Sequence, residues 1–348
     1  MSFNLNDITR ENVKGLSPYS SARDEYVSDG STMVFLDANE NPFENGVNRY
    51  PDPQQRGLKA ILAEQKGIKE ENILLGNGSD EVLDLLFRAF CEPKQDNIIS
   101  LPPTYEMYKV LSGINMVENK EVLLTNDFQP NVSEIKNTID EHTKLLFICS
   151  PNNPTGNSLS TQNIEELLNA FNGLVVIDEA YIDFSSEESW TSKLSKHPNL
   201  IVTQTLSKAY GMAGIRLGIC IASAEIIAVI NKIKPPYNVN QLTQEKATSR
   251  VLDSASVKNE VSQILAERIK VEETLKTVSF VEKIYPTDAN FILAKVDDAT
   301  LRYEQLLAKG VVVRNRTTQP LCENTLRFTV GTNKENETLI SALKTISN

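Results

Sequence analysis

Short apolar runs recur along the first two-thirds of the chain, and each has the length of a strand rather than of a membrane span. They occupy residues 73–75, 97–101, 144–149, 174–177, 200–203 and 217–222. Several runs are apolar without alternation, which is typical of strands that are covered on both faces. Residues 57–67 and 80–90 carry apolar positions at helical spacing. This alternation predicts an α/β fold with a mainly parallel central sheet flanked by helices.

The pattern changes after residue 236, where a long charged stretch over 241–276 predicts helix. Strand-like segments follow at 291–296, 310–313 and 326–330, and helical patterns follow at 301–308 and 336–346. We therefore expect a large domain over residues 31–240 and a smaller α+β domain over 241–348. Residues 1–30 are polar and irregular, and we expect an N-terminal arm there that packs with the small domain.

The net charge, the apolar runs and the Cys and His residues argue against several classes of protein. The net charge of −11 argues against a nucleic-acid partner, which favours a basic face. The sequence has neither a signal-peptide pattern nor an apolar run of membrane length, so we expect a cytoplasmic protein without a membrane partner. The four Cys residues are widely separated, which favours reduced core thiols. Both His residues lie in polar loop sequence, so we expect no metal site.

The most informative segment is TLSKAYGMAGIRLG, which begins at Thr205. Lys208 follows Ser207 in this segment and lies eight residues before Arg216. Desolvation and a nearby cation lower the pKa of an amine, and only the neutral amine attacks a carbonyl. Hydroxyls and an arginine fork suit a phosphate ester. The combination points to pyridoxal 5′-phosphate, which carries an aldehyde and a phosphate; the alternative is an exposed lysine before a glycine turn.

Asn153, Asp178 and Lys208 each follow a predicted strand. In open α/β sheets, ligands bind at the carboxyl ends of the strands, so we expect these side chains to meet in one crevice. The Asp178 carboxylate suits the ring nitrogen of the cofactor, because a carboxylate there keeps that nitrogen protonated. A helix N-cap is the alternative role for Asp178.

The sequence GNGSD at 76–80 predicts a turn that leads into the N-terminus of a helix, where free N–H groups can cradle a phosphate. The same sequence is also ordinary helix-capping sequence. The phosphate-binding set that we expect is Gly78, Ser79, Asp80, Thr205, Ser207 and Arg216. We expect Tyr105 to stack on the pyridine ring, with a core or surface aromatic as the alternative.

Arg314 and Arg327 lie in apolar, strand-like sequence near the C-terminus. An arginine in such a strand needs an anionic partner unless it lies on an exposed edge. We expect the neighbouring Arg316 to be solvated.

Eight segments in chain order, together with the lysine segment, resemble those of fold-type I pyridoxal-phosphate enzymes, the aspartate aminotransferase superfamily. They are LSPYSSAR (16–23), RYPDP (49–53), GNGSDEVLDLL (76–86), PPTYEMY (102–108), SPNNPTG (150–156), DEAYIDF (178–184), VVVRN (311–315) and LRFTVGT (326–332). The resemblance covers nearly the whole chain and is closest to the histidinol-phosphate aminotransferase branch. It implies a large domain that binds pyridoxal phosphate. It also implies transamination between L-histidinol phosphate and 2-oxoglutarate, in histidine biosynthesis.

The resemblance also assigns roles to residues. It implies that Lys208, Asp178 and Tyr181 are catalytic, and that Tyr181 and Asn153 contact the phenolic oxygen of the cofactor. The substrate-binding residues that it implies are Tyr19, Asn153, Arg314 and Arg327. Tyr50 matches a tyrosine that reaches the cofactor phosphate of the other subunit, which implies a homodimer with shared active sites.

Other activities fit the same motifs. A threonine-phosphate decarboxylase shares this architecture and also binds a phosphate, and an aromatic amino-acid aminotransferase is similar. A module that binds pyridoxal phosphate without turnover is the alternative from a different class. The sequence leaves the preferred amine substrate open.

Overall fold

The computed structural model describes residues 3–18 and 33–347. The described helices are α1 (Leu5–Ile8), α2 (Glu11–Lys14), α3 (Arg56–Lys66), α4 (Ser79–Phe90), α5 (Met107–Ile114), α6 (Val132–Thr138), α7 (Thr161–Ala170), α8 (Ala224–Asn231), α9 (Gln241–Leu252), α10 (Ser254–Leu275), α11 (Ala299–Ala308) and α12 (Asn333–Ser347). The described strands are β1 (Ile73–Asn77), β2 (Asn97–Ser100), β3 (Glu118–Glu121), β4 (Thr143–Cys149), β5 (Leu174–Asp178), β6 (Leu200–Thr205), β7 (Leu217–Ala222), β8 (Val281–Ile284), β9 (Phe291–Val296), β10 (Arg314–Asn315) and β11 (Thr325–Thr329).

The larger sheet of the described residues has seven strands in the order β1-β7-β6-β5-β4-β2-β3. The strands from β6 to β3 pair in parallel, which confirms the predicted mainly parallel sheet. Strand β7 runs antiparallel to both neighbours, β1 and β6. A parallel return would need a long crossover, usually a helix, whereas residues 206–216 form a short irregular connection. That connection carries Lys208 and Arg216.

A second, four-stranded sheet has the order β10-β11-β9-β8 and is antiparallel throughout. Helices α10, α11 and α12 pack on it and share its apolar cluster. The expected helix over 241–276 is two helices, because it breaks at Asp253 and the Asp253 side chain caps the start of α10. The expected strand at 310–313 is wrong: these residues form a turn and coil, and β10 begins at Arg314.

Residues 3–18 pack against the larger unit, whereas the sequence predicts an arm over residues 1–30 that packs with the small domain; residues 19–30 lie outside the described residues. The Arg10 N–H donates to the Ala89 carbonyl at the end of α4. The amine of Lys232, which directly follows α8, donates to the Lys14 carbonyl at 2.8 Å. Ile8 joins the apolar cluster of the larger unit, and burial of this side chain favours the placement. The domain boundaries near residues 30 and 240 stay a prediction.

Two apolar clusters cover the two faces of the seven-stranded sheet, so strands β1, β4, β5 and β6 are buried almost throughout. The ends of these strands are therefore fixed by packing, which suits a site that needs rigid support. All four Cys residues are buried and unpaired, as expected for core thiols. In the part of the chain that the structure describes, no helix is both long and apolar enough to cross a membrane.

The stacked pair of Phe87 and Phe147 joins α4 to β4, with ring centroids 5.4 Å apart, and Phe87 is fully buried. Phe87→Ala should lower the free energy of unfolding by about 3–5 kcal/mol, because it leaves a cavity under the site. Urea denaturation measures this change. Glu64→Ala, at an exposed position of α3, is the control and should change stability by less than about 0.5 kcal/mol. Equal effects of both substitutions would contradict this placement of the core.

Candidate functional site

The carboxyl ends of β4, β5 and β6 meet at one edge of the large sheet and line a cavity of about 290 Å³. The residues predicted for the site that line this cavity are Ser79, Asp80, Tyr105, Asn153, Asp178, Tyr181, Thr205, Ser207, Lys208, Arg216 and Arg327. They come from both sheets, because Arg327 lies in β11 of the smaller sheet. The cavity therefore lies where the two units of the chain meet.

Asp178, the last residue of β5, places a carboxylate in the wall of the cavity with only 3% of the residue exposed. The Tyr108 hydroxyl donates to Asp178 Oδ2 at 2.8 Å, and the Ala180 N–H donates to Oδ1 at 3.1 Å. Burial raises the pKa of Asp178, although these two donors favour the ionised form. No described Lys or Arg forms an ion pair with this carboxylate. A cationic N–H group bound in the cavity would supply the missing charge.

Lys208 follows β6 and points its amine into the same cavity, 5.6 Å from the centroid of the Tyr181 ring. Residue 208 as a whole is exposed, yet desolvation of the amine in the cavity lowers its pKa. The Arg327 guanidinium lowers the pKa further, and the Asp178 carboxylate opposes this effect. The amine is therefore easier to deprotonate than that of a solvated lysine, as a nucleophile or a base requires.

The turn from β1 into α4 forms a cradle in which Gly78 and the adjacent Gly218 leave no room for a Cβ atom. Gly78 has φ +80°, and a Cβ atom there would lie 2.6 Å from Arg216 Nη2. A Cβ on Gly218 would lie 2.3 Å from the Ser79 nitrogen. No described side chain caps α4, and Ser79 and Asp80 of its first turn line the cavity together with Ser207. Such a helix N-terminus binds anions, and phosphate esters in particular.

Tyr105 lies at the mouth of this cradle. Its hydroxyl donates to Asp80 Oδ1 at 3.0 Å, and the other Asp80 oxygen lies 3.8 Å from Arg216 Nη2. Burial and the Asp80 carboxylate raise the pKa of Tyr105, so the hydroxyl stays protonated and continues to donate. These contacts hold the aromatic ring against the cavity.

Arg327 reaches across from the smaller sheet and donates through Nη1 to the Asn153 side-chain oxygen. Its guanidinium lies 5.1 Å from the centroid of the Phe291 ring, and its buried Nε has no partner. No described carboxylate forms an ion pair with Arg327, and desolvation lowers its pKa. A desolvated guanidinium without a carboxylate partner favours binding of an anion that enters the cavity. Tyr181 is 7% exposed and packs edge-on against the same ring, at 5.1 Å.

Three of the predicted residues that the structure describes do not line the cavity. Gly78 lies directly behind it, as part of the cradle. Arg314 is exposed on β10, where it pairs in register with Arg327. Tyr50 is 51% exposed and stacks on Tyr237 with the ring centroids 4.5 Å apart. Tyr19 lies outside the described residues.

The expectation that Arg316 is solvated is wrong. The residue is only 7% exposed, and its Nη2 lies 3.5 Å from Glu106 Oε2. The surrounding sequence RNRTTQP is polar and gave no sign of burial. Burial here comes from the contact between the two units, which local sequence does not encode.

Sequence reasoning missed Tyr108 and Cys149. Tyr108 follows Tyr105 by three residues, and the turn that leads into α5 brings their ring centroids to 5.7 Å, so the short spacing was the available signal. Cys149 ends β4 and lines the cavity, and burial raises the pKa of its thiol well above the ordinary value. The thiol is therefore a neutral part of the wall rather than a nucleophile.

Comparison with known proteins agrees with this architecture. The chain matches the family described as aminotransferase class I and II over residues 32–343. A protein of Flavobacterium johnsoniae named histidinol-phosphate aminotransferase is 65% identical over 346 residues, which cover 99% of each chain. This chain covers 98–99% of more distant relatives with the same name, such as one from Parabacteroides distasonis at 53% identity over 340 residues.

Solved structures give the same result for the fold. The histidinol-phosphate aminotransferase of Clostridium acetobutylicum has a TM-score of 0.81 and 25% identity, over 87% of this chain and 91% of that one. The enzyme of Sinorhizobium meliloti, solved in complex with pyridoxal-5′-phosphate, has a TM-score of 0.80 and 21% identity, over 86% of this chain and 83% of that one. The predicted fold type and the predicted resemblance are confirmed. The chain is an aminotransferase that belongs to the class I and II family and, within it, to the histidinol-phosphate aminotransferases.

Proposed function

We propose that the protein transfers the amino group of L-histidinol phosphate to 2-oxoglutarate, which yields imidazole-acetol phosphate and L-glutamate in histidine biosynthesis. The observation that carries the substrate assignment is the Arg327 guanidinium, which points into the cavity without a carboxylate partner among the described residues. Arg314 lies opposite it across the β10–β11 ladder, so a phosphate could meet two cations. The name of the Flavobacterium johnsoniae relative supports the same substrate. We expect the reaction to take place in the cytoplasm.

The residues of the cavity fit pyridoxal 5′-phosphate as the cofactor. Asp178 would bind the ring nitrogen, because that buried carboxylate otherwise has no cationic partner among the described residues. Tyr105 would stack on the ring, and Asn153 and Tyr181 would donate to its phenolic oxygen. The phosphate would lie in the cradle formed by Gly78, Ser79, Asp80, Thr205, Ser207 and Arg216. When bound, the cofactor supplies an aldehyde and an electron sink.

Lys208, Asp178 and Arg327 have separate roles in the proposed reaction. Lys208 would hold the cofactor through its amine and would serve as the base and acid that moves the proton of the substrate Cα. Its lowered pKa favours the neutral amine that removes this proton. Asp178 keeps a proton on the ring nitrogen, and Arg327 orients the anionic end of the substrate. The same residues would serve the reverse half reaction with the oxo acid.

A homodimer with shared active sites is part of the proposal. The segment 33–50 carries several large apolar side chains that are exposed in a single chain: Val34 is 80% exposed, Leu36 86% and Phe43 80%. Exposed apolar side chains at this density mark interaction surfaces. Tyr50 lies in the same segment, so an interface there would bring it close to a partner chain.

Steady-state turnover tests the proposed function against its alternatives. With histidinol phosphate, the protein should form glutamate only when 2-oxoglutarate is present, and the two substrates should show ping-pong kinetics. Release of CO₂ from threonine phosphate without an oxo acid would support a decarboxylase. Faster turnover of tyrosine or phenylalanine would support an aromatic aminotransferase. Failure to turn over any amine donor would favour a binding module.

Arg327→Gln tests the phosphate contact. It should raise KM for histidinol phosphate steeply, by the equivalent of about 1.5–3 kcal/mol, because a charge-assisted contact is lost. KM for histidinol, which has no phosphate, should change much less. Arg302→Gln, which removes a guanidinium that is paired with Asp297 away from the cavity, is the matched control. An equal loss for both substrates would assign Arg327 a structural role.

The same variant tests the electrostatics of Lys208. Arg327 is a cation that lowers the pKa of Lys208, so Arg327→Gln should raise that pKa. The pH dependence of labelling of the cofactor-free protein by an amine reagent, followed on the Lys208 peptide by mass spectrometry, measures the shift. Arg302→Gln should leave the labelling curve in place. A curve that does not move in Arg327→Gln would mean that Arg327 does not influence this amine.

Subunit mixing tests Tyr50. In a heterodimer of a Lys208→Ala chain and a Tyr50→Ala chain, one site lacks both groups and the other site keeps both, if Tyr50 acts across the interface. Random reassortment makes half of the dimers heterodimers with one good site each, so activity should return to roughly a quarter of the wild-type value. The two chains must be co-expressed or refolded together. Confirmed heterodimers without any gain would show that Tyr50 acts in its own chain or not at all.

A further inference from the structure

Three arginines share one face of the β10–β11 ladder. Arg314 lies directly opposite Arg327, and the Arg316 N–H continues the ladder with a bond to the Thr325 carbonyl at 2.9 Å. Side chains two residues apart along a strand point to the same face. Arg316 therefore lies on the same face as Arg314 and Arg327, the two arginines proposed to bind phosphate.

Arg316 is the most deeply buried of the three. It is 7% exposed, its Nε has no hydrogen-bond partner, and its Nη2 lies 3.5 Å from Glu106 Oε2. Among the described residues, Glu106 is the carboxylate that lies within ion-pair distance of Arg316. A buried guanidinium without a counter-ion is strongly unfavourable, so this contact stabilises the position of Arg316.

Glu106 belongs to the larger unit and follows Tyr105, which lines the cavity. A hydrogen bond from Gln319 and the charge of Arg316 hold the pKa of Glu106 below its usual range, so Glu106 is ionised at neutral pH. Gln319 is itself buried, and its amide lies 3.5 Å from the Thr104 carbonyl. Residues 104–106 of the larger unit are thus joined to residues 316–319 of the smaller unit by side-chain contacts.

The same segment also connects to Asn153. The Thr104 hydroxyl donates to the Asn152 side-chain oxygen at 2.9 Å, and the Asn152 amide donates to the Pro103 carbonyl at 2.8 Å. Asn153 follows in the chain and accepts from Arg327. Arg316 and Arg327, two residues of the arginine face, are therefore both attached to neighbouring loops of the larger unit.

We propose that the Glu106–Arg316 ion pair is a latch between the two units, which positions Arg314 and Arg327 for the phosphate of the substrate. Glu106 and Arg316 are positioning residues, since neither lines the cavity formed by the described residues. The inference rests on the proposed function, because it takes a phosphate-bearing amine as the substrate.

A rival explanation is that Arg316 itself binds the phosphate and that Glu106 competes with the substrate for it. The two explanations predict opposite signs for Glu106→Gln. If the pair is a latch, the substitution leaves Arg316 buried without its counter-ion and frees the arginine face, so KM for histidinol phosphate rises. If Glu106 is a competitor, the substitution removes a negative charge that opposes the phosphate, so KM falls.

The experiment is a double-mutant cycle with Glu106→Gln, Arg316→Gln and the two together, with KM and kcat measured for histidinol phosphate and for histidinol. Each single variant should raise KM for histidinol phosphate by roughly three- to thirtyfold, and the double variant should be no worse than the poorer single. Histidinol, which has no phosphate, should be affected less. The charge swap Glu106→Arg with Arg316→Glu should recover part of the loss, and Arg302→Gln is the control for an ion pair away from the site.

Thermal unfolding of each variant separates positioning from folding. Glu106 is exposed, so Glu106→Gln should fold normally. The KM of this single variant therefore still tests the latch if Arg316→Gln does not fold. A lower or unchanged KM for histidinol phosphate in Glu106→Gln would overturn the latch. Additive effects in the double variant, or equal losses for both substrates, would also overturn it. Failure of the wild-type protein to turn over histidinol phosphate would instead refute the proposed function.

Discussion

The site is organised around one buried negative charge, the Asp178 carboxylate at the end of β5. This carboxylate is 3% exposed and has no cationic partner among the described side chains. Burial therefore disfavours its ionised form and raises its pKa. The Tyr108 hydroxyl and the Ala180 N–H nevertheless donate hydrogen bonds to this carboxylate, which stabilise its ionised form. A cationic ring nitrogen would satisfy this charge. In the proposed function, the fixed position of Asp178 determines where the cofactor ring would lie relative to the Lys208 amine and the phosphate cradle.

The positive groups of the cavity are arranged around that charge from two directions. Arg216 comes from the connection that precedes β7, and Arg327 comes from the smaller sheet. The chain as a whole carries a net charge of −11, so the attraction for anionic substrates is local and does not follow from composition. Because Arg327 lies in a different unit from Asp178 and Lys208, the distance between the Arg327 guanidinium and the Lys208 amine depends on how the two units pack. The contacts between residues 104–106 and 316–319 bear directly on that distance.

The sequence predicted much of the fold and of the site because both rest on local patterns. Unbroken apolar runs indicated covered strands, and the polar residues after them indicated the edge where Asp178 and Lys208 meet. Contacts between distant segments were not accessible in this way. The bond from Tyr108 to Asp178 joins residues 70 apart, and Arg316 is buried only by packing of the smaller unit on the larger. Strand β3, with the sequence ENKE, was missed because an edge strand in water needs no apolar run.

Nitrogen-15 NMR of the protein loaded with pyridoxal 5′-phosphate labelled at the ring nitrogen tests the role of Asp178 most directly. If the Asp178 carboxylate holds a proton on that nitrogen, the resonance at neutral pH should be that of a protonated pyridinium. Asp178→Asn, which keeps the size of the side chain and removes its charge, should shift the resonance to that of a neutral pyridine. A neutral ring nitrogen in the unaltered protein, or the same resonance in both proteins, would contradict the assignment of this carboxylate as the organising charge of the site.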